Sequence, residues 1–335
     1  MNTHPVHNRR MQVSGARAFS FALVALLAMA GCAPTASVQR EQAIPSEGFI
    51  DVPGGPVWYR VVGTGSATPL LVLHGGPGDR SCVYSPLAVL GNQRPIAFYD
   101  QLGSGRSGRP TDLNLWKIDR FVDELDVVRN RLGLTRVHLL GHSWGAALAV
   151  QYLLTKGTRG VESLILASPA LSTRDWIDDA NVLRGQLPIS VQEAMQRNEA
   201  GGTTNSAEYQ EATRAFSRQF GRRRPGAPNP ECAGSAFNPV IYQTMWGPSE
   251  FYATGNLLSF DVTNHLGELR LPVLFIVGRY DEARPETMTR YQRLVPGSQL
   301  QIIEEAGHNT LADEPEALLR TVRDFLARVD RADAR

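Results

Sequence analysis

The chain has 335 residues, of which 42% are hydrophobic, and a formal net charge of +1. That composition supports one large core, or a core with a smaller insert, and leaves no basic footprint for nucleic acid. The seven histidines are scattered and neither His-Glu-x-x-His nor Cys-x-x-Cys occurs, so no metal site and no cofactor are expected.

Residues 1–31 read as an export signal, not as part of the fold. Arg9, Arg10 and Arg17 form a basic region, and Phe19 to Ala30 an apolar one too short to span a membrane stably. Met29-Ala30-Gly31-Cys32 resembles a bacterial lipobox, with Met where Leu is usual. On that reading Cys32 is lipidated and becomes the mature N-terminus, which puts the protein in the periplasm on a membrane anchor. The other reading is ordinary cleavage after Ala28-Met29-Ala30. Both take the chain out of the cytoplasm. There Cys82 and Cys232 either pair or remain two buried thiols.

Residues 32–46 make a polar linker. A first core segment spans 47–170. Phe49 to Val62 alternates around Gly54-Gly55-Pro56 and predicts a hairpin. Leu70 to Leu73 predicts a short buried strand that runs into His74-Gly75-Gly76-Pro77-Gly78. Ile96 to Tyr99 predicts another, running into Asp100-Gln101-Leu102-Gly103-Ser104-Gly105-Arg106-Ser107. Ile118, Phe121, Val122, Leu125, Val128 and Leu132 fall on one helical face. Val137 to Leu140 and Leu164 to Ala167 are further strands, with a helix over Ala146 to Leu154 between them. Strands alternating with helices predict a mostly parallel sheet covered on both faces. Residues 171–265 change character: polar, Gly- and Pro-containing, with helical patches such as Tyr209 to Phe220. They read as a helical cap inserted into the core. The core resumes over 266–335 with strands Val273–Val277 and Leu300–Ile303 and a last helix from Pro315.

Gly141-His142-Ser143-Trp144-Gly145 lies between a strand and a helix, the nucleophile-elbow spacing of α/β-hydrolases. Taken alone, Gly-x-Ser-x-Gly also fits a plain βα turn. Serine needs a base, and the base an orienting acid. Asp281 follows strand Val273–Val277 and His308 follows strand Leu300–Ile303, in the order Ser, Asp, His that this fold uses. Glu282 competes with Asp281 for the orienting role. His142 adjoins the nucleophile and should point elsewhere, and His74 opens the glycine loop. Acyl transfer also needs two N–H donors for its oxyanion. Trp144, after the nucleophile, supplies one, and the glycine loop, at Gly76, the other.

These motifs together resemble the prolyl aminopeptidase (proline iminopeptidase) family of α/β-hydrolases, over about Phe49 to Leu326. His74 to Gly78 is similar to its oxyanion loop and Asp100 to Ser107 to its second signature. Trp246-Gly-Pro-Ser-Glu250-Phe251 resembles a cap motif, and Gly278-Arg-Tyr-Asp-Glu282 the acid loop. The resemblance settles the acid as Asp281. It implies an α/β-hydrolase fold, a mostly parallel sheet of about eight strands with an inserted helical cap. It implies release of an N-terminal residue, often proline, from short peptides. It also implies that Glu250 and Glu282 hold the substrate's free amine. The elbow departs from the family pattern in carrying His142 where many members have Gly or Ser. An esterase or amino-acid amidase, acting on small acyl substrates, is the alternative enzyme. A surface lipoprotein keeping an inactive hydrolase fold is the alternative outside enzymes, and the intact Ser143, Asp281 and His308 argue against it. Oligomeric state is not legible.

Overall fold

Side chains alternate across a strand, so a strand apolar at every position must be covered on both faces. In the computed structural model, which describes residues 46–226 and 229–333, eight strands form one sheet. The expected export signal and Cys32 lie outside the described residues. The strands are β1 (Glu47–Val52), β2 (Gly55–Val62), β3 (Leu70–Leu73), β4 (Ile96–Tyr99), β5 (Val137–His142), β6 (Val161–Ala167), β7 (Val273–Gly278) and β8 (Gln299–Ile303), in the order β1-β2-β4-β3-β5-β6-β7-β8. β1 and β2 pair antiparallel, as the expected hairpin, and β2 joins β4 antiparallel. Every other neighbour is parallel.

The alternation sorts each strand between two cores. Leu71, Leu73, Leu139, Leu164, Leu166, Phe275 and Val277 face one, and Leu70, Val72, Leu140, Ile165, Leu274 and Ile276 the other. The first core is closed by α1 (Ile118–Arg131), α2 (Trp144–Lys156) and, later in the chain, α7 (Pro285–Leu294). The second is closed by α9 (Pro315–Asp333) and by a 3-10 run, Ser81–Asn92. No strand or helix signal in the sequence announces that run. Pro86 lies inside it and lacks the N–H of a regular helix. The run still buries Tyr84, Leu87 and Leu90.

Between β6 and β7 come α3 (Thr173–Arg184), α4 (Ile189–Ala200), α5 (Ala207–Phe216) and α6 (Pro239–Met245). The first three enclose a small core of their own, with Leu183, Met195, Tyr209, Phe216, Phe220 and Phe251. Ser172 and Ser206 cap α3 and α5 through their side-chain oxygens.

The stretch from Asn229 to Asn238 straps this insert to the sheet. A Cys82–Cys232 disulfide joins it to the Ser81–Asn92 run, so of the two readings the pair is the one observed. Arg106 donates to the carbonyls of Glu231 and Ala233. The Asn238 amides reach Gly78 O and Gly103 O, each at 2.8 Å. A short helix, α8 (Thr310–Asp313), precedes α9.

Candidate active site

The elbow is a steric solution. Ser143 follows β5 and caps α2 with φ 52° and ψ −118°, a conformation costly for a residue with a Cβ. A Cβ on Gly141 would lie 2.4 Å from Gly145 O, and one on Gly145 would lie 2.2 Å from Leu73 O. Only glycine fits at either place. The strain projects Ser143 at the carboxyl end of the parallel strands, where an α/β sheet keeps its ligand crevice.

His308 and Asp281 arrive from the loops after β8 and β7. His308 Nδ1 donates to Asp281 Oδ1 at 2.9 Å. Asp281 is buried and accepts three more bonds: from Ser168 Oγ at 2.5 Å, Ala283 N at 2.8 Å and Gly278 N at 3.2 Å. Asp281, and not Glu282, is therefore the carboxylate hydrogen-bonded to the His308 ring. Ser168 holds a positive φ of 48° to reach it, and also donates to His308 O at 3.3 Å. The cap holds the histidine loop through main chain: His308 N donates to Phe220 O and Asn309 N to Gly221 O, both at 2.8 Å. Trp176 packs edge-on to the His308 ring and lines the same small cavity as Ser143. Ser143 Oγ itself makes no hydrogen bond among the described residues. Such bonds often tighten only when substrate is present.

Gly76, at φ 108°, and Trp144 line that cavity with Ser143. Gly76 N–H donates to nothing among the described residues, and Trp144 N–H is a free donor at the start of α2. One amide fastens the two arms. Gln101 donates from its main chain to His74 Nε2 and from its side chain to His74 O, each at 3.0 Å. Its Oε1 accepts from Trp144 Nε1 at 2.8 Å. His74 therefore carries its proton on Nδ1, which donates to Gly75 O. It orders the loop that it opens.

His142 does point away from the nucleophile's side. Its Nε2 donates to His308 O at 2.9 Å and its ring lies 4.6 Å from the His308 ring. Burial, and the neighbouring His308, push its pKa down to about 3, so it stays neutral. A larger cavity, about 1100 Å³, reaches His142 from between the Ser81–Asn92 run and α8–α9 and includes neither Ser143 nor Glu250.

Two further carboxylates surround the centre. Glu250, half-buried, lines the Ser143 cavity and accepts from Tyr242 Oη at 2.5 Å. Glu282 is 4% exposed, accepts no hydrogen bond among the described residues, and lies with Oε1 3.7 Å from His308 Nε2. Burial, then the charge of Glu250, push Glu282 well above the usual carboxylate range. Burial raises Glu250 too, against the pull of the Tyr242 hydroxyl and His308. Burial pulls His308 down, but Asp281, Glu282 and Glu250 outweigh it and push it up to about 9.

The sequence motifs contain Gln101 without indicating what it holds. Ser168 and Trp176 carry no signal in the sequence, because each acts across elements far apart in the chain, and Tyr242, eight residues before Glu250, is marked by no motif.

A family model described as alpha/beta hydrolase fold matches residues 68–315. A proline iminopeptidase of Heyndrickxia coagulans is 45% identical over 284 residues, 84% of this chain and 98% of the relative. Among solved structures, the proline iminopeptidase of Mycobacterium smegmatis superposes with a TM-score of 0.77 at 31% identity, covering 86% of this chain and all of the other. VinJ superposes at 0.79 with 32% identity, covering 84% and 98%. With that likeness along nearly the whole described fold, the chain belongs to the proline iminopeptidase family of alpha/beta hydrolases.

Proposed function

We propose that this protein is a serine aminopeptidase that releases an N-terminal residue, proline or another small apolar one, from short peptides. Ser143 attacks the first peptide carbonyl, and His308, oriented by Asp281, takes its proton and passes it to the leaving amine. The N–H groups of Gly76 and Trp144 receive the oxyanion. Water then releases the acyl group from Ser143. The cavity walls, Ala147, Ala170, Trp176, Trp246, Leu257 and Phe260, suit a compact apolar side chain.

The observation that carries this reading is Glu282. A buried carboxylate without a hydrogen bond is costly, and here it stands beside a second carboxylate, Glu250, that lines the nucleophile's cavity. A substrate α-ammonium supplies the missing donors and fixes the reacting carbonyl one residue from the chain end. Changing Glu250 or Glu282 to Gln should weaken kcat/KM for a free prolyl arylamide by about 1.5–3 kcal/mol, the range for a charged hydrogen bond. N-acetylation should make the wild-type substrate poor. Equal cleavage of acetylated and free substrates would replace this reading with an esterase or amidase.

We also propose that the protein is exported and held on a membrane by lipid at Cys32. The signal-like residues 1–31 motivate this, and the Cys82–Cys232 disulfide suits an oxidising compartment. Mass spectrometry of the mature protein should find acyl chains on Cys32. An unmodified Cys32 behind a new N-terminus at Gly31 would mean simple secretion.

A further inference from the structure

His308 has a carboxylate near each of its nitrogens, one bonded and one not. Asp281 takes Nδ1 at 2.9 Å, while the Nε2 side, the one Ser143 needs, faces Glu282 at 3.7 Å. Ser143 Oγ has no hydrogen bond among the described residues. The other groups around the imidazole do not answer Glu282. His142 is neutral, Glu250 adds negative charge from the cap, and Asp313 is spent on the main-chain N–H groups of Gly307, Arg223 and Arg224.

We propose that Glu282 keeps the resting enzyme idle by holding a proton on the Nε2 side of His308, and that the substrate's α-ammonium, by taking over Glu282, expels that proton and frees His308 for Ser143. This rests on the amine-binding reading above and gives it a second consequence. The exchange balances: one ammonium enters, one proton leaves to solvent, and the net charge of the dry site is unchanged. A cation can replace a proton there at little electrostatic cost, whereas an N-acylated chain brings no charge and leaves the base protonated. Amine recognition and base activation become one event, so discrimination exceeds what a lost contact alone would give.

The pushed-up His308 agrees in sign. A raised pKa means that the free base appears only as pH rises through about 9 when no substrate is bound. Removing the Glu282 charge must lower that midpoint.

The test is the rate at which a small neutral fluorophosphonate labels Ser143, followed against pH in the full-length protein, with Ser143→Ala as the unlabelled control. Wild type should label slowly at pH 7 and faster through pH 9. Glu282→Gln should lower the midpoint by about one unit and so label about tenfold faster at pH 7. Glu250→Gln should shift it the same way by less, and it stands in if Glu282→Gln fails to fold by near-ultraviolet circular dichroism. A mutation that cripples peptidase turnover would thus speed attack on a neutral acylating agent. An unmoved midpoint in both variants overturns the gate. If those same variants also lose preference for free amines, the amine clamp survives without it. Equal cleavage of acetylated and free peptides by the wild type would overturn clamp and gate together.

Discussion

A serine at φ 48° is an unusual thing to find twenty-five residues from a nucleophile, and Ser168 shows how single residues set this site. Its one hydroxyl proton goes to Asp281 at 2.5 Å, with the His308 carbonyl a second, longer acceptor at 3.3 Å, so it fixes Asp281 beside the loop that bears His308. Ser168→Ala should lower kcat by about 10- to 100-fold, the equivalent of one charged hydrogen bond, with little change in KM. A kcat within twofold of wild type would show that Asp281 is held well enough by its two main-chain donors. The Ser143, Asp281 and His308 set was legible because each member follows a strand, and strand ends can be read from apolar runs. Ser168 also follows a strand, but serine after a strand is common and nothing nearby marks its partner. Gln101 lies inside a motif that the sequence displays, yet its use depends on two loops meeting, which no local pattern records. His142 was read as pointing away from Ser143. Its bond to His308 O could be seen only in three dimensions.

Among the elements, the core strands follow from short apolar runs and α1 from helical spacing, and α9 falls where a last helix was expected. The Ser81–Asn92 run does not, since its apolar residues are broken by Pro86 and fit neither a strand nor an α-helix. It matters because it carries one end of the Cys82–Cys232 disulfide, while the other end lies in the strap that bonds Gly78 and Gly103. The link spans 150 residues of sequence. Closing a loop of that length removes about 5 kcal/mol of unfolded-state freedom in the chain-entropy account. Urea unfolding with and without reductant should show a loss of that order, and kcat should fall in reductant before the fold does, as the strap loosens from the oxyanion loop. Unchanged unfolding and unchanged turnover would reduce the disulfide to an ornament of the surface.

At the scale of the molecule, the sheet and its insertion point were legible because composition shifts after Leu171 and strand-like runs return at Val273. How the insert is tied down was not, since main-chain bonds leave no trace in side-chain identity. The bonds from His308 N to Phe220 O and from Asn309 N to Gly221 O are of that kind. They make cap backbone a bearing for the catalytic base. A roof built this way cannot lift like a lid without dislocating the histidine beneath it, so a substrate is threaded in and not enclosed. Only a loose chain end can be threaded. An N-terminus tied into a fold offers none, whereas a short peptide or a frayed terminus does.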